Sequence, residues 1–214
     1  MNLTLHSYWR ATAPYRVRIG LQLKGLDYGY VGVNLLKGEQ HADDYVTRRN
    51  RQHLTPALEA DGHVLTQSLA ILEWLEEVHP EPALLPRDAF DRATVRAMAA
   101  IIACDIHPLN NMRIQKALTE LGVDAPGREA WSQRWIIDGF NALEPLVAEH
   151  GAGFAFGGAP TLADCCLVPQ VYSAGRYNVD LTPFPAIRAA AEHAARHPAF
   201  AAAHPDIQPD ATHA

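Results

Sequence analysis

Apolar and polar positions recur with two different periods along the chain, and the change falls near residue 80. Leu3-Thr4-Leu5-His6-Ser7-Tyr8-Trp9 alternates in part and is rich in β-forming residues, which predicts a strand. A short polar stretch follows, and Pro14 suits the first turn of a helix because its missing N–H is not needed there. Val17, Ile19, Leu21 and Leu23 carry that helix to Lys24-Gly25, a C-terminal stop. Tyr28 to Asn34 reads as a second strand. Asp61-Gly62 is the strongest short hairpin signal in the chain and separates Pro56-Ala57-Leu58-Glu59-Ala60 from His63-Val64-Leu65-Thr66. Ser68 then opens a helix in which Leu69, Leu72, Leu75 and Val78 form a stripe at three-residue spacing. The predicted order is β-α-β, a variable segment, then β-β-α.

Past residue 87 the strand pattern disappears. Residues 88–121, 129–149, 161–177 and 185–196 each read as helix, separated by Gly and Pro clusters. Gly151 to Pro160 is the clearest loop. Thr161-Leu162-Ala163-Asp164 has the form of a capping box, with Asp in place of the usual Glu. The proline-rich run from Pro80 to Pro86 marks a boundary, giving a first domain over 1–82 and an all-helical domain over 87–214. The tail from Pro205 onward is expected to fray.

Composition narrows the function classes. The length of 214 residues suits one large domain or two small ones. With 48% hydrophobic and 20% charged residues, general disorder is excluded. Eighteen Lys and Arg against 24 Asp and Glu leave a net charge of −6, which argues against an electrostatic grip on nucleic acid. No apolar run of about 18 residues predicts a membrane span, and the first residues lack the basic-then-apolar pattern of a secretory signal. Cys104, Cys165 and Cys166 are odd in number and two are adjacent, which suits a reducing cytoplasm better than a disulfide framework.

The β-α-β then β-β-α order is that of the thioredoxin-like fold. Its redox members carry Cys-x-x-Cys at the first helix start, where the dipole lowers a thiol pKa. Here that turn reads Arg10-Ala11-Thr12-Ala13-Pro14, so disulfide exchange from this site is excluded. Thr12, close to a positive helix end and between Arg10 and Arg16, suits an external anion such as the thiolate of a small bound thiol. Thr12 would serve equally as a plain N-cap. In Leu54-Thr55-Pro56, a proline opening a strand marks an edge or a turn. In thioredoxin-like proteins it is typically cis, and its neighbour offers backbone groups to a peptide-like ligand. At Thr66-Gln67-Ser68, Ser68 is placed to cap a helix whose first N–H groups can bind a carboxylate. His193 and His197 have an i, i+4 spacing but no third metal ligand, and read as a solvated face.

Taken together, Ser7-Tyr8-Trp9-Arg10 through Tyr15-Arg16-Val17-Arg18-Ile19, Thr66-Gln67-Ser68-Leu69-Ala70-Ile71-Leu72-Glu73 and Asp105-Ile106-His107-Pro108-Leu109-Asn110-Asn111 resemble the zeta-class glutathione transferases. These are the maleylacetoacetate isomerases, with the bacterial maleylpyruvate isomerases close by. Val179-Asp180-Leu181-Thr182-Pro183-Phe184-Pro185 extends the likeness nearly to the end of the chain. Gln-Ser before a helix marks glutathione transferases broadly, whereas Arg-Val-Arg with Asp-Ile-His-Pro-Leu-Asn-Asn is more particular to the zeta group. The resemblance implies an α/β thioredoxin-like domain followed by an all-α domain, the glutathione transferase fold, and a cytoplasmic homodimer. It implies glutathione as cofactor and cis–trans isomerisation of maleylacetoacetate, in aromatic amino acid catabolism, by reversible thiolate addition.

Carried over residue by residue, the resemblance places Thr55 against the cysteinyl part of glutathione and Gln67 and Ser68 on its γ-glutamyl carboxylate. His41 would reach the glycyl end, and His107, Asn111, Met112 and Arg113 would contribute from the helical domain. Thr12 would hold the thiolate, while Arg176 and Arg10 would anchor the dicarboxylate substrate. Each of these histidines and arginines also has an ordinary structural reading as a packed or solvated side chain. The chain departs from the family where Ala11-Thr12-Ala13 replaces Ser-Ser-Cys, Arg51 replaces a proline, and Thr55 replaces a valine. A maleylpyruvate isomerase, a transferase conjugating small electrophiles or α-haloacids, and a binding module without chemistry stay open as alternatives.

Overall fold

Leu3, Leu5, His6 and Ser7 are all buried, so β1 (Leu3–Ser7) is covered on both faces and takes an inner place in its sheet. In the computed structural model, residues 1–212 are described, and the chain divides into two units. The first comprises Met1–Leu84 and the chain from His197 onward; the second is Leu85–Arg196. In the first, β2 (Gly29–Gly32), β3 (Ala57–Ala60) and β4 (His63–Thr66) join β1 in the order β2-β1-β3-β4. β1 runs parallel to β2 and antiparallel to β3, with Leu5 opposite both Tyr30 and Leu58. The predicted turn closes β3 to β4, Asp61 and Gly62 both taking positive φ, 47° and 88°. Both strand and turn therefore follow the local sequence. The unit is the thioredoxin-like α/β arrangement that the element order predicts.

α1 (Thr12–Leu23) is buried continuously from Pro14 to Leu21, including Arg16 and Arg18. It is thus a core helix, not the one-sided surface helix its apolar stripe suggests. A Cβ on Gly20 would run into Leu72 of α3 (Ser68–Val78), so that glycine sets how closely the two helices pack. At the far end Lys24 donates to Glu76 Oε2 and to the Pro82 carbonyl, both at 2.6 Å, and Glu76 Oε2 accepts from the Leu84 amide at 2.8 Å. This buried pair ties α1, α3 and the proline-rich segment together. A short helix α2 (Asp43–Arg48) fills the variable segment.

The C-terminal tail departs from the expected fraying. From His197 onward the chain groups with the first unit, through α10 (Pro198–Ala202) and a 3₁₀ turn Pro205–Ile207, and not with the helical domain. Arg18 donates to the Ala203 carbonyl at 3.0 Å, and Asp210 accepts from Tyr30 and from the Trp9 amide. The segment 205–212 is therefore held in place, while residues 213 and 214 lie outside the described residues.

The second unit is helical. The predicted single helix 88–121 is instead α4 (Ala89–Ala100), a π-helical turn Ile101–Ile106, α5 (His107–Asn110) and α6 (Met112–Glu120). It breaks because Asn111 is extended, at φ −73° and ψ 164°, and caps α6 with its side chain. α7 (Ala125–His150), α8 (Leu162–Arg176) and α9 (Pro185–Ala195) follow the expected segments, α7 starting four residues early at an Asp124 cap. The capping box forms as read: Asp164 accepts from the Thr161 amide at 2.8 Å and hydroxyl at 2.9 Å, and also from the Ala155 amide at 2.7 Å.

Asp164 is fully buried, and that burial pushes its carboxyl up to about 6 from an ordinary 3.8, against the pull of the amides and hydroxyl that donate to it. The folded state therefore holds an extra proton between about pH 4 and pH 6, so this group's contribution to stability falls as pH rises through that window. Asp164→Ala strands the Ala155 and Thr161 amides and is expected to cost about 2–4 kcal/mol. It should also flatten the stability profile across that window; urea unfolding against pH measures both effects, and an unchanged profile would contradict the assignment.

Candidate active site

The turn between β1 and α1 delivers the first group of predicted residues. Ala11 is the N-cap of α1 and offers no side-chain hydrogen bond, so Thr12 is the first helical residue and not the cap. Thr12 is buried, and Pro14 two positions on has no amide to satisfy. The first turn of α1 therefore has no acid and no side-chain cap, an arrangement that favours a bound anion. Arg10 lies over the indole of Trp9, 5.6 Å from the ring centroid, which restricts its guanidinium.

Thr55-Pro56 is a cis peptide, as the thioredoxin-like pattern predicts. The preceding carbonyl, Leu54 O, is held by Tyr45 Oη at 2.7 Å and Asn50 Nδ2 at 2.9 Å. The β3–β4 pairing starts at Ala57 and Thr66, so Thr55 lies outside it. Gln67, not Ser68, is the N-cap of α3, and it takes φ +67°, a conformation costing a non-glycine residue about 1–3 kcal/mol. Its side chain donates to Gln52 Oε1 at 2.7 Å. Ser68 is buried, and its hydroxyl accepts from Arg16 Nη1 at 3.2 Å. Gln67 and Ser68 thus present a strained backbone and an oriented hydroxyl at a helix start, with a buried cation behind them. His41 ends a 3₁₀ turn and is exposed, its Nδ1 3.2 Å from Nδ1 of His53, itself at φ +57°.

In the second unit the π-helical turn leads directly into His107. Asn111 is occupied internally, accepting from the Ile114 amide at 3.3 Å and donating to the Pro108 carbonyl at 3.1 Å, while Met112 and Arg113 are exposed on the first turn of α6. Arg176 is exposed at the last position of α8. The next residue, Tyr177, reaches Asn110 O with its hydroxyl at 3.5 Å, and its carbonyl accepts from Gln133 at 2.9 Å. These links draw the end of α8 to the segment carrying His107 and Asn111. The predicted residues therefore form two groups, Thr12, Arg10, His41, Thr55, Gln67 and Ser68 on the first unit and the other five on the second.

Asp210, which holds the Trp9 amide, escaped the sequence reading, and Arg16, read there only as a charge flanking Thr12, supports Ser68. Arg16 left a signal, since a charge inside an apolar helical run needs buried partners. Asp210 left none.

The profile for the N-terminal domain of glutathione S-transferases matches residues 1–77. The maleylpyruvate isomerase of a Ralstonia species is 49% identical across 97% of this chain and 99% of its own. A holo structure of a maleylpyruvate isomerase, described as a bacterial zeta-class glutathione S-transferase, superimposes with a TM-score of 0.95 at 48% identity, over 98% of this chain and 100% of that one. The chain belongs to the zeta-class glutathione transferases. The maleylacetoacetate isomerase of Anaeromyxobacter dehalogenans, 47% identical with a TM-score of 0.89 over 99% and 98% of the two chains, has been solved with glutathione and with dicarboxyethyl glutathione plus citrate in its active site. Zeta-class membership accounts for the pairing of an α/β unit with a helical one. Among the described residues, no three His, Cys, Asp or Glu side chains are grouped to hold a metal, and no helix is long and apolar enough to cross a membrane.

Gly139 on α7 decides how the His107 segment sits, because a Cβ there would run into Ile106. Gly139→Ala is expected to lower stability by about 1–3 kcal/mol and to displace Ile106, the residue preceding His107. Urea unfolding and the imidazole resonances of His107 check this. Resonances at their wild-type positions would show that His107 does not depend on the packing of α7.

Proposed function

We infer that this protein is a glutathione-dependent cis–trans isomerase of maleylacetoacetate. The observation that carries the reading is a set of features on the first unit: Thr12 at an uncapped helix start, Thr55 before a cis-proline, and the strained Gln67 beside Ser68. These groups match a γ-glutamyl-cysteinyl-glycine tripeptide in chemistry. Thr55 offers main-chain groups to an extended peptide, Gln67 and Ser68 offer donors to the α-carboxylate, and His41 offers a nitrogen to the glycyl end. His107, Asn111, Met112 and Arg113 are further proposed contacts, Asn111 through whatever capacity its capping role leaves.

Bound glutathione supplies a thiol that adds reversibly across the cis double bond. The residues of this chain provide the conditions for it. A thiol of pKa about 8.5 must be ionised near neutral pH; the Thr12 hydroxyl donates toward the sulfur, and the positive end of α1 favours its charge. Arg10 and Arg176 are the cations proposed for the two substrate carboxylates and for the negative charge that develops beside the double bond. The dicarboxyethyl glutathione in the Anaeromyxobacter enzyme carries the group that adding a thiol across a butenedioic acid produces, which supports this pairing of cofactor and substrate.

Maleylpyruvate is a second reading, favoured by the 49% identity to the Ralstonia maleylpyruvate isomerase. Both substrates are cis diacids with the same anchoring needs. We also place the protein in the cytoplasm as a homodimer, supported by an odd set of three cysteines, two of them adjacent, and by family membership; sedimentation as a monomer at micromolar concentration would remove the dimer.

Proton NMR of each cis diacid with enzyme and a tenth of an equivalent of glutathione tests the reading. Complete conversion to the trans isomer with glutathione intact is expected. Glutathione consumed into an adduct would make the protein a conjugating transferase, and no conversion of either acid would overturn the isomerase. Thr12→Val is expected to cut turnover about 10²-fold while leaving glutathione affinity nearly intact. Turnover equal to wild type would take catalysis away from Thr12.

A further inference from the structure

Asp210 is a carboxylate that the proposed chemistry does not use, yet it reaches the turn that carries that chemistry. Its Oδ2 accepts from the Trp9 amide at 3.1 Å, across 201 residues of sequence, and its Oδ1 accepts from the Tyr30 hydroxyl at 2.5 Å. A Cβ on Gly32 would stand 3.2 Å from the Asp210 Cβ, so the approach relies on that glycine. The Trp9 carbonyl accepts from Arg18 Nη2 at 2.8 Å. Both main-chain polar groups of Trp9 are therefore held by charged side chains, one of them from the C-terminal segment. Trp9 in turn carries Arg10 over its ring, and the Ala11 amide closes the turn onto the Tyr8 carbonyl at 3.1 Å, immediately before Thr12.

We propose that Asp210 is a positioning residue for the active-site turn: by fixing the Trp9 amide it sets where Arg10 and Thr12 stand. This rests on the roles given to Arg10 and Thr12 above. The selectivity follows from placement. Thr55, Gln67 and Ser68 hang from other elements and share no hydrogen bond with Asp210, so glutathione affinity does not depend on the clamp. Thiol ionisation and substrate anchoring do, because small displacements of catalytic groups have large kinetic effects.

In the full-length protein, Asp210→Ala is expected to lower kcat about tenfold, with the KM for glutathione changed less than about twofold. It should also raise the pH at which the bound thiol ionises, read from thiolate absorbance, and speed hydrogen exchange of the Trp9–Thr12 amides. Asp210→Asn keeps an acceptor for Trp9 and a donor for the Tyr30 oxygen, and is expected to restore most of kcat. Tyr30→Phe, which removes one of the two ligands of Asp210, should fall between. A folded Asp210→Ala protein with wild-type kcat, thiol ionisation and exchange overturns the proposal. So does a loss shared equally by kcat, KM and global stability that Asp210→Asn fails to rescue, since that describes a purely structural group. If the wild-type protein isomerises neither diacid, the functional reading fails, and thiol ionisation and amide exchange still decide the clamp.

Discussion

The first unit is organised around one buried cation. Arg18 is wholly inaccessible to water, and removing a guanidinium from water costs several kcal/mol unless acceptors replace the lost hydration. Burial pulls its pKa down, but arginine stays charged at neutral pH, so the requirement cannot be met by losing the proton. The acceptors come from three places: Ser7 Oγ at 3.1 Å on β1, Trp9 O at 2.8 Å in the following turn and Ala203 O at 3.0 Å beyond α10. The ring of Tyr15 covers it 5.0 Å away. Each charge-assisted bond contributes about 1.5–3 kcal/mol, enough in sum to offset the desolvation. Because Ala203 is one of the three, the C-terminal segment has to return to the first unit, and its return brings Asp210 to Trp9.

How far this is legible in the sequence depends on whether the controlling contact is local. The Asp61-Gly62 turn, the Thr161–Asp164 capping box and the cis Thr55-Pro56 each involve residues within a few positions of one another, and all three form as the sequence indicates. The break in the helix expected over 88–121 does carry local marks, Pro108 and the capping Asn111, which the apolar period of the segment outweighed. The π-helical turn before it depends on Ile106 fitting against Gly139, 33 positions away. The tail shows the same cause in stronger form. The segment from Pro205 to Thr212 is polar and proline-rich, and Arg18, Trp9 and Tyr30, which anchor the chain beyond α10, all lie in the first 30 residues.

At two of the proposed site residues the local rule for helix caps differs from the structure. Ser68 and Thr12 are both residue types that cap helices, and a local rule assigns them that role. In the structure the caps are Gln67 and Ala11, one residue earlier in each case. The difference matters chemically. A capping hydroxyl spends its acceptor on its own helix, whereas Ser68, in the first turn, accepts from Arg16 on another helix.

The Ala11-Thr12-Ala13 sequence then has a physical reading beyond the loss of a cysteine and a serine. An alanine cap gives up about 1 kcal/mol relative to serine and leaves the positive helix end without an internal anion. With Pro14 contributing no amide, the helix start carries the Thr12 and Ala13 amides, one buried hydroxyl and the helix dipole, and it follows a turn in which Trp9 is held at both its N–H and its C=O. A turn with few chemical groups places more weight on where each one stands. The clamp proposed for Trp9 and the departure from the family's usual loop are in that sense one proposal: the fewer donors the turn carries, the more the proposed chemistry rests on Arg18 and Asp210 to fix them.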